Sequence, residues 1–443
     1  MLTNRICALI ANPRPLSPAE LDDVRLSFAD TLAVALAGWH SESVTMLRGV
    51  LGLEAMPPLP ETRPTTPPEA IALALGTAAH ALDYDDVNLD SVTHPSAVIV
   101  PALLAVAAHH PDLTPRIPAA YAVGLTTDQT LGQVLGFAHY DKGWHASSTF
   151  GPLSAAAALA HLLDLDERQI RSALALAATR SAGMQLNFGQ MGKHLQIGQS
   201  AEGAVRAALL ARAGFTGAAD PFAPSGFFDL YAGAALARKP DDVAPELSVA
   251  SISRKLFPCC YLTHRMIAAS ITLHDRFPGG LPDGVQVDVA VPYGGLSALR
   301  VKDPLTGSEA KFCAAYTVAV ALLRGRVLLS DFSDGALASA EVRDLMTRVT
   351  ASEEPLIGAP PTGIDHGEVV VTLRGVAGVI DRVTCRHYPG SPAAPATQSA
   401  MHTKIDDCLR LYTAAAPVPL AREDLLSWLD RFIGPVDTGS TDT

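Results

Sequence analysis

Charged side chains are scarce in this sequence. Asp, Glu, Lys and Arg make up 18% of its 443 residues, and the formal net charge is −12. Lysine and arginine form no long cluster, which argues against a nucleic acid as a partner. An anionic substrate would therefore have to be held by a local basic pocket rather than by the net charge of the chain.

Long apolar runs are also missing. The longest candidate, residues 97–108, is interrupted by Pro101 and falls short of the roughly 18 residues that span a bilayer. The apolar stretch near the amino terminus, residues 6–11, is shorter than the core of a secretory signal. These absences predict a cytoplasmic protein without a membrane partner.

Cysteine is sparse as well. The sequence contains six cysteines, and the adjacent Cys259 and Cys260 cannot form an ordinary strain-free disulfide with each other. Free thiols in a reducing compartment are therefore expected. Cys259, Cys260 and His264 lack both the C-x2-C spacing of zinc sites and a fourth ligand, so we predict no metal site.

Several catalytic and cofactor motifs are absent. The sequence has no G-x-G-x-x-G after a predicted strand, no G-x-x-x-x-G-K-[ST] and no G-x-S-x-G. Nothing in it supports a nucleotide cofactor or a serine nucleophile of the hydrolase type. We expect a protein that works without a cofactor.

Apolar residues, by contrast, are abundant at 48%, and their spacing in the first half of the chain is helical. The segment Ser17-Pro18-Ala19-Glu20 combines a capping box with proline at the first helical position, and it predicts a helix over 17–38. Similar alanine- and leucine-rich segments lie at 69–82, 97–109, 152–163, 167–182 and 201–213. A large helical bundle is expected.

The pattern of apolar residues changes near Lys255, from helical spacing to alternation typical of strands. Segments 285–291 and 368–373 alternate β-branched and polar residues and predict strands, with a helix at 308–323 between them and helices at 401–412 and 422–432 after them. We therefore predict a mainly α protein with a smaller α+β domain. The expected parts are a large all-helical domain (1–253, joined by C-terminal helices within 398–443), an α+β lid (254–397) and a disordered tail (436–443).

Three loops place a basic or titratable residue beside the predicted start of a helix. These residues are His94, His145 and Lys193, the last before a helix predicted from Ser200. Helix amino termini offer free N–H groups and a partial positive charge, so three that converge would suit a substrate with two or three carboxylates. A single loop histidine is more often a capping or surface residue, and an acidic run such as that in 83–90 is more often a solvated turn.

A denser group of reactive side chains lies in residues 255–264. Lys255, Cys259, Cys260 and His264 supply a cation, two thiols and an imidazole within ten positions. The alternative interpretation is a strand end with buried, inert cysteines. Tyr316 lies on the predicted helix 308–323, where an aromatic residue is most often part of the core.

Taken together, these segments resemble the MmgE/PrpD family over nearly the whole chain. Members of that family include 2-methylcitrate dehydratase, cis-aconitate decarboxylase and iminodisuccinate epimerase. The matching pieces are His80-Ala81-Leu82-Asp83-Tyr84-Asp85-Asp86, Thr93-His94-Pro95-Ser96, Gly143-Trp144-His145, Ser148-Thr149, Lys193 with Gly198, Lys255-x-Phe257-Pro258-Cys259-Cys260-x3-His264, Glu309-Ala310-Lys311-Phe312 with Tyr316, and Gly390-Ser391-Pro392.

The resemblance implies a homodimer whose active site lies in the cleft between the helical domain and the lid. It implies catalytic roles for Asp83, His94, His145, Lys193, Lys255 and Tyr316. It also implies substrate contacts from Thr93, Ser147, Ser148, Cys260 and His264.

The implied activity is that of a cofactor-independent lyase acting alpha to a carboxylate of a small polycarboxylic acid. It would be a hydro-lyase similar to 2-methylcitrate dehydratase or a related decarboxylase. The chain departs from the family pattern at Val87 and Cys260, where the decarboxylases have threonine and histidine, and at Gln196, where many members have histidine. A missing imidazole removes one candidate proton donor, which weakens the case for decarboxylation in particular.

Three other functions stay open from the sequence. The first is an epimerase or isomerase of a dicarboxylate such as iminodisuccinate, because the same pocket could return a proton to the opposite face. The second is an all-helical metal-dependent hydrolase, suggested by His274-Asp275 and by the acidic run beside His94. The third is a non-catalytic helical scaffold, in which the clustered polar residues would be incidental.

Overall fold

The computed structural model describes residues 1–232, 236–358, 364–416 and 418–433. The first of these ranges is built mainly from α-helices. They are α1 (Leu2–Ala11), α2 (Pro18–Gly38), α3 (Glu42–Leu51), α4 (Pro68–His80), α5 (Ser96–His109), α6 (Ile117–Leu135), α7 (Phe137–Asp141), α8 (Ala146–Leu162), α9 (Glu167–Ala178), α10 (Met191–Arg212) and α11 (Phe227–Ala232).

Helix α2 begins where its capping signal predicts. The Ser17 hydroxyl accepts a hydrogen bond from the Glu20 backbone N–H at 3.3 Å, and the Glu20 carboxylate accepts one from the Ser17 N–H at 2.9 Å. These two bonds satisfy donors that a helix start otherwise leaves free. From Ser27 to Gly38 the helix is buried, so it runs through the interior of the bundle.

Helices α4 and α10 approach each other closely because two glycines face each other. A Cβ atom on Gly198 would lie 2.3 Å from the carbonyl oxygen of Leu73, and one on Gly76 would lie 3.1 Å from the Cα of Gly198. No larger residue fits at position 198 without moving backbone atoms. This close contact sets the end of α4 beside the start of α10.

Two helices start earlier than the sequence predicted. Helix α8 begins at Ala146 rather than at 152, so Pro152 lies inside it. Proline has no N–H for the Ser148 carbonyl, and that carbonyl accepts from the Ala182 N–H at 3.3 Å instead. Helix α10 begins at Met191, which corrects the expected start near Ser200 and places Lys193 in the first turn rather than before the helix.

The rest of the chain mixes helices with a small sheet. Its helices are α12 (His264–Arg276), α13 (Gly307–Ala310), α14 (Ala314–Arg324), α15 (Asp334–Leu337), α16 (Ala340–Met346), α17 (Gln398–Ala415) and α18 (Arg422–Ile433). The strands within the described ranges are β1 (Val87–Asn88), β2 (Ile252–Ser253), β3 (Gln286–Val291), β4 (Val349–Glu353), β5 (Val369–Gly375) and β6 (Gly378–Cys385).

The main sheet has the order β4-β3-β5-β6, in which β3 and β4 are parallel and the other pairs are antiparallel. Strands β3 and β5 confirm the two strands predicted from the sequence. Strands β4 and β6 were not predicted, because most of their side chains are partly or fully exposed and they lack an apolar alternation. Strands β1 and β2 form a separate antiparallel pair.

The predicted helix 308–323 is broken into α13 and α14. The break falls at Lys311 and Phe312, where the Lys311 carbonyl accepts from the Cys260 N–H at 3.0 Å. The Lys311 ammonium group donates to the Leu82 carbonyl. Long-range contacts thus replace the helical hydrogen bonds that the local sequence favours.

Helix α17 returns to the helical part of the chain. Its buried Lys404 lies 2.6 Å from the carboxylate of Asp30 on α2 and donates to the Tyr84 carbonyl at 2.8 Å. The fold class is confirmed as mainly α with a smaller α/β part, whereas the domain boundary at 253/254 stays a prediction. The predicted disordered tail, 436–443, lies outside the described residues.

None of the helices in the described part of the chain is both long enough and apolar enough to cross a bilayer.

Candidate active site

The loop between α4 and α5 carries two residues in a conformation that side chains rarely adopt. Asp83 and Val92 have φ angles of 53° and 55°, in the left-handed region. For β-branched Val92 this conformation is costly, and such strain is typical of functional loops. Both residues line one narrow cavity, so the strained backbone shapes its wall.

Asp83 is the centre of a buried charge cluster. Its Oδ1 lies 2.6 Å from the Lys193 ammonium nitrogen and 3.0 Å from that of Lys255. Lys255 also donates to the Asp83 carbonyl at 2.8 Å. Burial opposes ionisation of the carboxyl, but the two ammonium groups outweigh it and hold the pKa of Asp83 well below its usual range. Its second oxygen, Oδ2, is buried without a hydrogen-bond partner among the described residues.

His94 lies beside this cluster, just before α5. Its Nδ1 donates to the Asp86 backbone carbonyl at 2.9 Å, and its Nε2 lies 4.0 Å from Asp83 Oδ1. Burial lowers the pKa of His94 well below its ordinary value, and the Asp85 carboxylate only partly offsets this effect. The ring is therefore neutral at neutral pH.

His145 is the N-cap residue of α8 and lines the same cavity. Its Nδ1 lies 2.8 Å from the amide nitrogen of Gln196 on α10, and its Nε2 is buried without a partner among the described residues. Burial, reinforced by the nearby His80 and Lys193, lowers the pKa of His145 well below its ordinary value. This imidazole is also neutral.

The cavity is closed on both sides by different parts of the chain. One wall comes from the helical part and the other from residues 260–262, Phe312 and Ile364. The free space is about 30 Å³, room for about two water molecules. This space is smaller than a polycarboxylic acid, so the cavity would have to widen to hold one. The full lining is Asp83, Val87, Val92, His94, Tyr140, His145, Phe188, Lys193, Cys260, Tyr261, Leu262, Phe312 and Ile364.

The structure thus brings Asp83, His94, His145, Lys193 and Lys255 together, but it places Tyr316 elsewhere. Tyr316 is buried in α14, donates its hydroxyl hydrogen to the Asp331 carbonyl and packs against Phe332. It is not among the residues that line the cavity. In this structure Tyr316 is a packing residue, and the catalytic role implied for it stays a prediction.

Three hydroxyls expected to contact substrate are engaged elsewhere. Thr93 donates to the Asp128 carboxylate at 2.6 Å, and Ser147 accepts from the His94 backbone N–H at 2.8 Å. Ser148 donates to the Gln196 carbonyl at 3.1 Å. None of the three lines the cavity, so they position the loops and helices around it instead.

The two expected contacts in the segment after Lys255 differ in their placement. Cys260 lines the cavity, and burial raises the pKa of its thiol to about 11, so the thiol is protonated at neutral pH. His264 is fully buried, and its ring packs against those of Phe257 and Tyr261. It is not part of the lining.

The sequence interpretation missed His80 as a site residue. This last residue of α4 donates from Nδ1 to Asp85 at 2.7 Å. Its ring centre lies 4.7 Å from that of His94 and 5.7 Å from that of His145. His80 and Asp85 both belong to the matched motif of residues 80–86, so the motif could have indicated them.

Lys311 was also missed, although it belongs to the motif of residues 309–312. It is buried at the break between α13 and α14. Burial lowers its pKa to about 8, against the opposing attraction of Asp83. Lys311 is thus a third amine near the same carboxylate, and its titration falls close to neutral pH.

One group of side chains has the geometry of a metal site. His80, Asp83, Asp85 and His94 offer ligand atoms within 4.8 Å of one another. However, two ammonium groups already contact Asp83, and they would repel a cation. His274 donates to the Leu322 carbonyl at 2.8 Å and lines a different cavity, so the structure does not bring His274-Asp275 to this group. The arrangement suits an anion better than a cation.

Comparison with known proteins identifies the family of this chain. Residues 4–238 match the MmgE/PrpD N-terminal domain and residues 257–419 match the MmgE/PrpD C-terminal domain. Cis-aconitate decarboxylase from Homo sapiens is 28% identical over 340 residues, which are 71% of this chain and 68% of that protein.

Two fungal proteins are similarly related. A cis-aconitate decarboxylase-like protein from Aspergillus oryzae is 29% identical over 309 residues, 64% of each chain. Cis-aconitate decarboxylase from Aspergillus terreus is 25% identical over 342 residues, 71% of this chain and 70% of that protein. With both domains of the family matched in order along it, this chain belongs to the MmgE/PrpD family.

Proposed function

We propose that this protein is a cofactor-independent lyase that acts on the carbon alpha to a carboxylate of a small polycarboxylic acid. The observation that carries the proposal is the charge of the buried cluster. Lys193 and Lys255 contact Asp83, and Asp85 and a third amine, Lys311, are close enough to influence this group electrostatically. The histidines beside these three amines and two carboxylates are neutral. One positive charge is left over, and a buried charge needs a partner.

A carboxylate of the substrate would supply that partner. The ammonium groups of Lys193 and Lys255 are held in place by Asp83, so they need not reorganise when negative charge develops. Removal of an alpha proton moves charge onto the carboxylate oxygens as an enolate. Fixed positive groups in a water-poor cavity stabilise that charge more strongly than water does.

Proton transfer would be the task of an imidazole. His94 and His145 both line the cavity and are neutral, so an imidazole is available there to accept a proton from the alpha carbon. In a dehydration the C–H bond breaks and its proton moves to the imidazole; the beta C–O bond then breaks, and the imidazolium returns the proton to the departing hydroxide, which leaves as water. In an epimerisation the enolate instead takes a proton back on its other face.

Decarboxylation is the third possible outcome, and the names of the relatives favour it. It breaks a C–C bond, releases CO₂ and needs a proton for the remaining carbanion. Cys260, whose pKa is about 11, is a weak proton donor for this step. For this reason we favour dehydration, with an epimerase of a dicarboxylate such as iminodisuccinate as the alternative. A homodimeric assembly and a cytoplasmic location stay predictions.

A substrate screen in D₂O tests the proposal. Citrate, 2-methylcitrate, malate, cis-aconitate and iminodisuccinate are incubated with the enzyme and followed by NMR. Loss of water, loss of CO₂, or exchange at the alpha carbon with inversion identifies the three outcomes. Neither turnover nor deuterium exchange with any acid would contradict the proposal and favour a binding protein.

A chelator separates the lyase from a metal-dependent hydrolase. Because the lysines already neutralise Asp83, activity should survive dialysis against EDTA. Activity that disappears with EDTA and returns with a divalent cation would instead assign the cluster of His80, Asp83, Asp85 and His94 to a metal.

Replacing either imidazole should abolish most of the turnover. We expect His94→Ala and His145→Ala each to lower kcat by about 10²-fold or more, the usual scale for groups that transfer protons or stabilise charge. The exposed His387 provides a matched control, and His387→Ala should leave kcat unchanged. Near wild-type turnover in both active-site variants would remove the histidines from the mechanism.

A further inference from the structure

Gln196 is oriented by groups whose hydrogen-bonding roles are fixed. Its side-chain oxygen Oε1 accepts from the Met184 backbone N–H at 2.7 Å and from the Asn187 amide at 3.1 Å. A backbone N–H can only donate, so the oxygen of the amide must face it. The amide nitrogen therefore faces Nδ1 of His145, at 2.8 Å.

This orientation decides which nitrogen of His145 carries the proton. The Gln196 amide nitrogen can only donate, so Nδ1 of His145 accepts. A neutral imidazole with an accepting Nδ1 has its hydrogen on Nε2. That Nε2–H is buried and has no partner among the described residues. His145 thus presents an unused N–H donor at the cavity.

His94 is held in the opposite tautomer. Its Nδ1 lies 2.9 Å from the Asp86 backbone carbonyl, which can only accept, so Nδ1 carries the hydrogen. The neutral ring then has a lone pair on Nε2, which lies 4.0 Å from Asp83 Oδ1 and has no hydrogen-bond partner among the described residues. His94 therefore presents a proton acceptor.

We propose that Gln196 is a positioning residue that holds His145 as an Nε2–H donor to the enolate oxygen, and that His94 alone transfers the proton. This assignment rests on the proposed function. If neutral His145 gave up its proton it would become an imidazolate, whereas as a hydrogen-bond donor it stabilises the oxyanion without losing the proton. In a dehydration, His94 Nε2 takes the alpha proton and passes it to the departing hydroxide, which leaves as water.

The tautomers can be read without any substrate. In protein labelled with ¹⁵N-histidine, two-bond ¹⁵N–¹H correlation spectra distinguish protonated from unprotonated ring nitrogens. The signals of His145 and of His94 are identified by their loss in His145→Gln and His94→Gln, respectively. We expect His145 to be protonated at Nε2 alone and His94 at Nδ1 alone. A proton on Nδ1 of His145 in the wild-type protein would overturn the assignment, whatever the outcome of the substrate screen.

Gln196→Glu tests the causal role of the amide. The carboxylate can still accept from the Met184 N–H, but it now accepts from His145 as well, so Nδ1 becomes protonated. The exposed Gln199, three residues later on α10, provides the control for the added charge. For Gln196→Glu we expect kcat to fall by about 10²-fold, the scale for loss of one oxyanion donor, and Gln199→Glu to behave as wild type.

Substitution of the two histidines by glutamine separates their roles. His145→Gln keeps an N–H donor and should retain more of kcat than His145→Ala, whereas His94→Gln keeps no base and should be as slow as His94→Ala. Equal losses in His145→Gln and His145→Ala, or a kcat for Gln196→Glu within twofold of wild type, would overturn the proposal. Folding of each variant is checked by circular dichroism.

Discussion

This protein contains two buried lysine–aspartate clusters that contact neighbouring residues of the same loop. In the first, Lys404 of α17 meets Asp30 of α2 at 2.6 Å. In the second, Lys193 and Lys255 both contact Asp83, at 2.6 Å and 3.0 Å. The residue that follows Asp83, Tyr84, links them, because its carbonyl accepts from Lys404.

The pKa values of the two aspartates are shifted in opposite directions. Burial raises the pKa of Asp30 and the single ammonium group of Lys404 does not overcome it. Burial also opposes ionisation of Asp83, but two ammonium groups reverse the balance and lower its pKa well below the usual range. In the one-to-one pair of Lys404 and Asp30, here called the closed pair, the charges cancel and the contact joins two helices. The group around Asp83, here called the open cluster, has more amines than carboxylates beside a cavity, so it can bind one more anion.

The largest effect should come from removing one amine of the open cluster. We expect Lys193→Met to lower kcat/KM by about 10³-fold, because both carboxylate binding and enolate stabilisation lose a buried charge. Lys239→Met, at an exposed position, is the control. Steady-state kinetics measures the effect. A loss below tenfold would show that Lys193 serves stability and not the site.

Breaking the closed pair should instead cost stability. Lys404→Met leaves Asp30 buried without its partner, and we expect the free energy of unfolding to fall by about 3–5 kcal/mol. Asp30→Asn should cost less than this, because burial already raises the pKa of the Asp30 carboxyl and so makes its charged form less favourable. Urea unfolding measures both. If Lys404→Met lowered kcat/KM as much as Lys193→Met, the distinction between the two clusters would fail.

A third carboxyl extends the comparison to pH. Asp86 has no ammonium partner among the described residues, and burial raises its pKa to about 7. Below that pH the folded chain keeps a proton that the unfolded chain releases above about pH 4, so the free energy of unfolding should fall as pH rises from about 4 to about 7. Asp86→Asn should remove this dependence and raise stability at pH 8 by a few kcal/mol. Urea unfolding at several pH values would contradict the idea if both proteins gave the same slope.

The smallest expected effect concerns the third amine of the open cluster. Burial lowers the pKa of Lys311 to about 8, so above that pH the surplus positive charge disappears. We expect KM for the polycarboxylate to rise by about tenfold as pH passes through 8. This change corresponds to the loss of one ion pair between enzyme and substrate worth about 1.4 kcal/mol. Lys311→Arg stays charged and should give a flatter profile. An unchanged profile in a folded Lys311→Arg would exclude Lys311 from binding.

Local signals predicted some parts of the site but not others. The loops before α5 and α8 indicated His94 and His145, since a titratable residue beside a helix start is visible in the sequence. His80 was hidden inside an apolar helix, where its position looks like core. The break between α13 and α14 was missed because the bond between the Lys311 carbonyl and Cys260 joins residues far apart in the chain.

Hydrophobic periodicity and helix caps depend on residues close together in the sequence, so the sequence alone determined the helical fold class and strands β3 and β5. The order of the motifs along the chain likewise determined the family. Tertiary structure decided which polar groups meet. Lys193 and Lys255 reach Asp83 across 110 and 172 positions, and Gln196 reaches His145 across 51. Such contacts depend on how helices such as α4 and α10 pack, and local periodicity holds no information about that. The same packing brings two ammonium groups to Asp83, which keeps its carboxylate charged, and removes the imidazoles from water, which keeps them neutral.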